Sequence, residues 1–298
     1  MASRTSWLVW VILLVMLPGC VINTAKLNIG RAFHLPWETA QEDAEQWRQD
    51  ALSSVKLENA SSLPLLRQGK GNDPVGELLK EKSWEQPKVR WAIERYDYEV
   101  QQRIKQDFER ASITYPPSRL AFLAFKKERR LELWAANAAG PLRLVKEYPL
   151  TAFSGELGPK RRAGDGQIPE GIYRITYLNP DSAYHLSMKL NYPNEFDREM
   201  AQQDHRSNLG GDIFIHGDSR SIGCLAVGNK GIEELFVITA LAGAENAQVI
   251  IAPHDFRQDG TIRPVSGLPW TKELYSEIRN SVLVFPRDRA GEETVARQ

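Results

Sequence analysis

Between Leu120 and Ala135 the chain alternates short apolar runs with a block of charge: Leu120–Phe125, then Lys126-Lys127-Glu128-Arg129-Arg130, then Leu131–Ala135. Apolar runs this short, divided by a polar turn, read as a β-hairpin. The texture persists downstream. Asn137–Pro141 is a second turn, Leu142–Phe153 a third strand, and Gly155–Gly166 a glycine-rich, basic loop. Ile172–Tyr177, Tyr184–Leu190, Asp212–His216 and Val249–Ala252 are further strand candidates. One helix interrupts them at Ile232–Ala242, where Ile232, Leu235, Phe236 and Thr239 share a side. Leu274–Val284 fits either a helix or a strand.

Upstream of residue 115 the period changes. Val89, Ile93, Tyr96, Val100, Ile104 and Phe108 fall on one face of a strongly amphipathic helix, which Tyr115-Pro116-Pro117 stops. Trp37–Leu57 also reads as helical, and Ser61–Gly76, rich in Pro and Gly, as a linker. These helices pack on the β domain or on each other; the heptad is not sustained enough for a partner-binding coiled coil. The expected organisation is a short leader at 1–20, a helical region with its linker at 21–114, a mainly β domain with α elements (α+β) at 115–253, and an extension at 254–298.

Composition narrows the function. Lys plus Arg and Asp plus Glu both total 38, a formal charge of zero. That argues against a nucleic-acid partner, which needs a basic field. Trp7–Leu17 is an apolar run of eleven residues with Arg4 the only charge before Lys26. It is too short to span a bilayer as a helix, which takes about 20 residues, and fits the core of a secretory signal. The run ends Leu17-Pro18-Gly19-Cys20, which resembles a bacterial lipobox, so Cys20 is the expected lipidation site. An ordinary signal peptide or anchor with a chance cysteine is the alternative. With Val21 rather than Asp next, lipoprotein sorting rules imply a periplasmic protein held on the outer membrane of a Gram-negative envelope by its lipid anchor.

That leaves Cys224 as the second of two cysteines. Two cysteines exclude a disulfide framework and a cysteine-rich zinc module. A lone thiol in an exported chain is either buried and inert or chemically needed. Its neighbourhood is Gly211-Asp212-Ile213-Phe214-Ile215-His216-Gly217-Asp218-Ser219-Arg220-Ser221-Ile222-Gly223-Cys224. A thiol is nucleophilic as thiolate, and an adjacent imidazole can generate it. Fully extended, eight residues could separate His216 from Cys224 by roughly 26 Å. The chain must therefore turn back, and Gly217, Gly223, Asp218 and Ser219 permit that. Amides near Gly223 and Cys224 are candidate oxyanion donors. Zinc held by His216, Cys224 and one of His185, His205 or Asp218 lacks any supporting spacing. Ser219 or Ser221 as a nucleophile lacks the G-x-S-x-G elbow. No cofactor is implied, since Gly155–Gly166 lacks the Gly-Lys-Ser/Thr ending of a phosphate loop.

The motif His216-Gly217, a variable loop, then Ser221-Ile222-Gly223-Cys224 resembles the active site of the L,D-transpeptidase catalytic domain (YkuD) family. Gly164-Asp165-Gly166-Gln167-Ile168-Pro169-Glu170-Gly171-Ile172-Tyr173, Leu190-Asn191-Tyr192-Pro193-Asn194 and the opening strands of Leu120–Gly158 resemble further parts of it, in order, over roughly residues 115–253. The short loop and Ser221-Ile222-Gly223-Cys224 resemble the YafK-like branch, whereas Ala226 departs from the family, which often has Arg there. The resemblance implies a β-sandwich or barrel catalytic domain acting on peptidoglycan stem peptides. Cys224 would form a thioester resolved by an amine or by water, with His216 as base and Ser221 orienting it. Gly217, His185 and Arg220 would face substrate, and Lys160, Arg161 or Arg162 are other replacements for the usual Arg. The branch implies an alternative, hydrolysis that releases murein-bound lipoprotein. A non-catalytic peptidoglycan-binding envelope lipoprotein is the remaining reading.

Overall fold

The computed structural model describes residues 86–138 and 140–287. The leader with Cys20, the Trp37–Leu57 helix and the Ser61–Gly76 linker lie outside the described residues. The described elements, in chain order, begin with helix α1 (Pro87–Ala111) and strands β1 (Arg119–Phe125), β2 (Arg130–Ala136), β3 (Arg143–Pro149), β4 (Gly171–Asn179) and β5 (Ser187–Leu190). Helix α2 (Glu195–Gln203), strands β6 (Phe214–His216) and β7 (Leu225–Ala226), helix α3 (Gly228–Ala242), strand β8 (Ala247–Ala252) and helix α4 (Thr271–Leu283) complete the set.

The strands form one mixed sheet in the order β3-β2-β1-β8-β4-β5-β6-β7. β1 runs parallel to β8, β6 runs parallel to β7, and the other neighbours are antiparallel. Just past β3, Ala152 bridges Ala226 of β7 and the Thr151 amide donates to the Ala226 carbonyl at 2.8 Å. The first and last strands of the sheet thus meet, and the sheet curls into a barrel-like shell.

β1 shows why a continuous apolar run was needed. Six of its seven residues are buried because both faces are covered. Leu120, Phe122 and Ala124 join the main core with α1 and α3, whereas Ala121, Leu123 and Phe125 join a second core under α4. Helix α3 is buried along most of its length, which explains its apolar composition. Glu234 on α3, itself buried, accepts from Arg103 of α1 at 2.9 Å and from Lys146 and Tyr148 of β3 at 2.7 and 2.9 Å. That one carboxylate ties three elements together.

Leu274–Val284, ambiguous from sequence, is helical, and Leu274, Tyr275, Ile278 and Val282 pack on the sheet. Arg257 and Asp255, just past β8, pair with each other and with Glu132 and Arg130 of β2, further fastening the segment beyond 253. Helix α2 and strand β7 have no counterpart in the sequence reading. α2 begins with a reciprocal cap: the Asn194 side chain accepts from the Asp197 amide, and the Asp197 carboxylate accepts from the Asn194 amide, both at 2.9 Å.

Candidate active site

The site lies where β6 ends and β7 begins, beside the start of β5. Ile215 pairs with Leu225 and His216 with Ala226. Ile215 and Leu225 point into the main core. His216 is the last residue of β6 and Cys224 directly precedes the first residue of β7, so the register brings the two segments side by side. Eight residues of sequence separation thus become adjacency across the β6–β7 pairing.

His216 is only 2% exposed. Its Nδ1 lies 2.5 Å from the Gly217 carbonyl, an arrangement that places the ring proton on Nδ1 and leaves Nε2 free to accept another. The Tyr184 ring covers the imidazole with centroids 4.6 Å apart. Burial pushes the imidazole below its ordinary 6.5, against the Gly217 bond and the Asp218 charge. Cys224 Sγ lies 3.7 Å from the Asp212 carbonyl. Burial raises the thiol above its ordinary 9.0, outweighing a backbone bond at Phe214 and the charge of Lys160. A thiolate stabilised by imidazolium was the sequence expectation; here burial favours the neutral form of both groups.

The turn between them is fastened at each end. Gly217 has no room for a side chain, since a Cβ there would meet Asn229 Oδ1 and the Tyr184 carbonyl at 2.7 Å. Gly223 sits at φ +99°, and a Cβ would lie 2.9 Å from the Gln167 carbonyl. Both glycines are required by close chain packing. Ser221 does not orient His216. Its hydroxyl donates to the Cys224 carbonyl at 2.7 Å and accepts from the Cys224 amide at 3.0 Å, clamping the backbone of Cys224 itself. The Gly223 amide donates to Ser154 Oγ at 2.6 Å. Both amides named as oxyanion donors are thus already engaged.

His185, expected to line the groove, turns instead to Glu233 of α3 at 2.8 Å and to the Tyr96 ring of α1. Its neighbour Tyr184 reaches the site. A backbone at φ +74° for His185 accompanies this reversal of the strand pattern, and β5 starts only at Ser187. Arg220 is exposed, bonds Asp218 at 2.7 and 2.9 Å, and lies over Tyr184. Lys160 is nearly buried and paired with Asp165 at 2.5 Å, which leaves it a fixed charge near Cys224. Asp165 also accepts from the amides of Arg161, Arg162 and Gln167. The Gly-Asp-Gly stretch is therefore a loop-folding device that sets Gln167 against Gly223. Tyr184 and Ser154 were missed; a Ser before Gly155 is the only trace of the latter in the sequence.

Residues 121–251 match the family model of the L,D-transpeptidase catalytic domain (YkuD). Among characterised proteins the chain is similar to "Putative L,D-transpeptidase YafK" of Escherichia coli K12, 40% identical over 134 residues that cover 43% of this chain and 52% of that one. The chain thus spans about half the length of the curated relatives it matches. Two solved structures align more distantly. They are the helical cell shape determining protein Pgp2 from Campylobacter jejuni (22% identical, 54% of each chain, TM-score 0.38) and Bdellovibrio bacteriovorus Bd1075 (24% identical, 57% of this chain and 58% of that one, TM-score 0.34).

Proposed function

We propose that this protein is a cysteine acyltransferase or hydrolase of peptidoglycan stem peptides. The observation that carries the reading is the β6–β7 register. It brings the segments that carry Cys224 and His216 side by side, with Nδ1 of His216 committed to Gly217. Cys224 Sγ attacks a stem-peptide carbonyl while His216 Nε2 takes the thiol proton. The carbon–nitrogen bond then breaks, and the departing amine receives that proton. The resulting thioester passes to an amine, which makes a crosslink, or to water.

Purified murein sacculi incubated with the protein and with Cys224→Ala test this. The expected result is a change in the muropeptide profile with the wild type only; equal activity in both removes Cys224 from the chemistry. Mass spectrometry of the products separates crosslinking, trimming and release of murein-bound lipoprotein. A non-catalytic, peptidoglycan-binding role predicts instead that Cys224 resists an acylating carbapenem.

The lipobox-like Leu17–Cys20 supports a lipid anchor at Cys20 and a periplasmic site of action on the outer membrane. Cys20→Ala is expected to move the protein from the membrane to the soluble fraction, and retention on the membrane would refute the anchor. Among the described residues no helix is long and apolar enough to cross a membrane.

A further inference from the structure

An acyl transfer at Cys224 develops negative charge on the attacked carbonyl oxygen, and something must receive it. The Cys224 amide is bonded to Ser221 Oγ, and that hydroxyl spends its proton on the Cys224 carbonyl. The Gly223 amide is bonded to Ser154 Oγ. Ser154 differs from Ser221 in one respect. Its oxygen accepts an amide proton, and among the described residues no acceptor takes its own proton. A hydroxyl that accepts a hydrogen bond becomes a better donor, because successive bonds polarise one another.

Ser154 is also held in place. It follows Ala152, whose bridge to Ala226 closes the sheet beside Cys224, and precedes Gly155, where a Cβ would run into Gln167 at 2.1 Å. Gln167 in turn fills the space against Gly223. Ser154 therefore approaches the Cys224 turn from a different segment, the long connection between β3 and β4.

Resting on the acyl-transfer reading, we propose that Ser154 is a catalytic residue whose hydroxyl, backed by the Gly223 amide, donates to the oxyanion formed when Cys224 attacks. In that step the sulfur–carbon bond forms, the carbonyl π electrons move to oxygen, and the thiol proton goes to His216 Nε2. Ser154 keeps its proton and supplies a hydrogen bond only. When the intermediate collapses, the carbonyl reforms and the Ser154 bond weakens again.

The test uses two thiol reagents on the full chain. Acylation of Cys224 by a carbapenem passes through a tetrahedral oxyanion, whereas alkylation by iodoacetamide, a displacement at carbon, does not. Ser154→Ala is expected to slow acylation about 100-fold or more, the size of losing one oxyanion donor, while alkylation stays within about twofold. Ser154→Thr, which keeps a hydroxyl, is expected to retain most of the acylation rate. Acylation unchanged or faster in Ser154→Ala would mean that the freed Gly223 amide takes the oxyanion itself, and the proposal fails. It fails equally if both reactions fall together, or if Thr is as slow as Ala. A wild type that is alkylated but never acylated refutes the acyl-transfer reading and Ser154 with it, a result distinct from a loss seen only in the variant.

Discussion

At the scale of single residues, burial decides the resting state of the site. It lowers the imidazole of His216 and raises the thiol of Cys224, so a neutral pair occupies the pH range between their ordinary values. The sign has a kinetic consequence. A base with a lowered pKa remains competent below pH 6.5, and a thiol with a raised pKa keeps its proton above pH 9.0. The rate of Cys224 acylation is therefore expected to be flat from about 6.5 to 9.0 and to fall only on the acid side of that window. An acid limb centred above 6.5 would contradict the buried imidazole. Gly223 adds a second residue-scale expectation. Gly223→Ala forces a Cβ toward the Gln167 carbonyl at an unfavourable φ, at a cost of about 1–3 kcal/mol. A drop in thermal midpoint with slower acylation is the expected reading.

At the scale of elements, the α2 cap carries a pH dependence of its own. Asp197 accepts from the Asn194 amide, yet burial raises its pKa to about 6. An acid raised above its unfolded value binds its proton more tightly in the folded chain. That contribution is present at low pH and is lost as pH rises through about 6. Stability followed by thermal melts should fall between about pH 4 and 6 for this reason, and Asp197→Asn should flatten the slope. The elements themselves were readable to different degrees. The β1–β2 hairpin was legible because two apolar runs flank a charged turn, and α1 because its apolar face recurs at helical spacing. β7 was not legible, since two residues carry no period, and it exists only because β6 lies beside it. α4 stayed ambiguous until the second core showed which of its residues are inside.

At the scale of the whole molecule, the buried pair Lys126–Glu170 links the outer shell to the site. Lys126 Nζ donates to the carbonyls of Gly158 and Ile168 at 2.7 and 2.9 Å and sits 3.0 Å from Glu170, with both side chains fully buried. Glu170 also accepts from the Gly158 amide and from Tyr275 of α4, at 2.8 and 2.7 Å. The loop that presses Gln167 against Gly223 is thus pinned to β1 and to the segment beyond 253. Lys126→Met leaves Glu170 buried without its charge partner and is expected to cost about 3–5 kcal/mol. Urea unfolding would check this, and a loss under 1 kcal/mol would show the pair to be dispensable. Lys126, read from sequence as one charge in a hairpin turn, is inside because the sheet curls over it.

The amino-acid order by itself determined which residues could do chemistry here: a cysteine, a histidine eight positions before it, and a turn able to fold between them. It also determined the texture of short strands around one apolar helix, because hydrophobic spacing is local. Only the tertiary structure decided that His185 leaves the site while Tyr184 and Ser154 enter it, and that Ser221 serves the backbone of Cys224 rather than His216. Those outcomes depend on strands and loops far apart in the chain closing on one another, and no local pattern encodes which side chain faces the gap once they do.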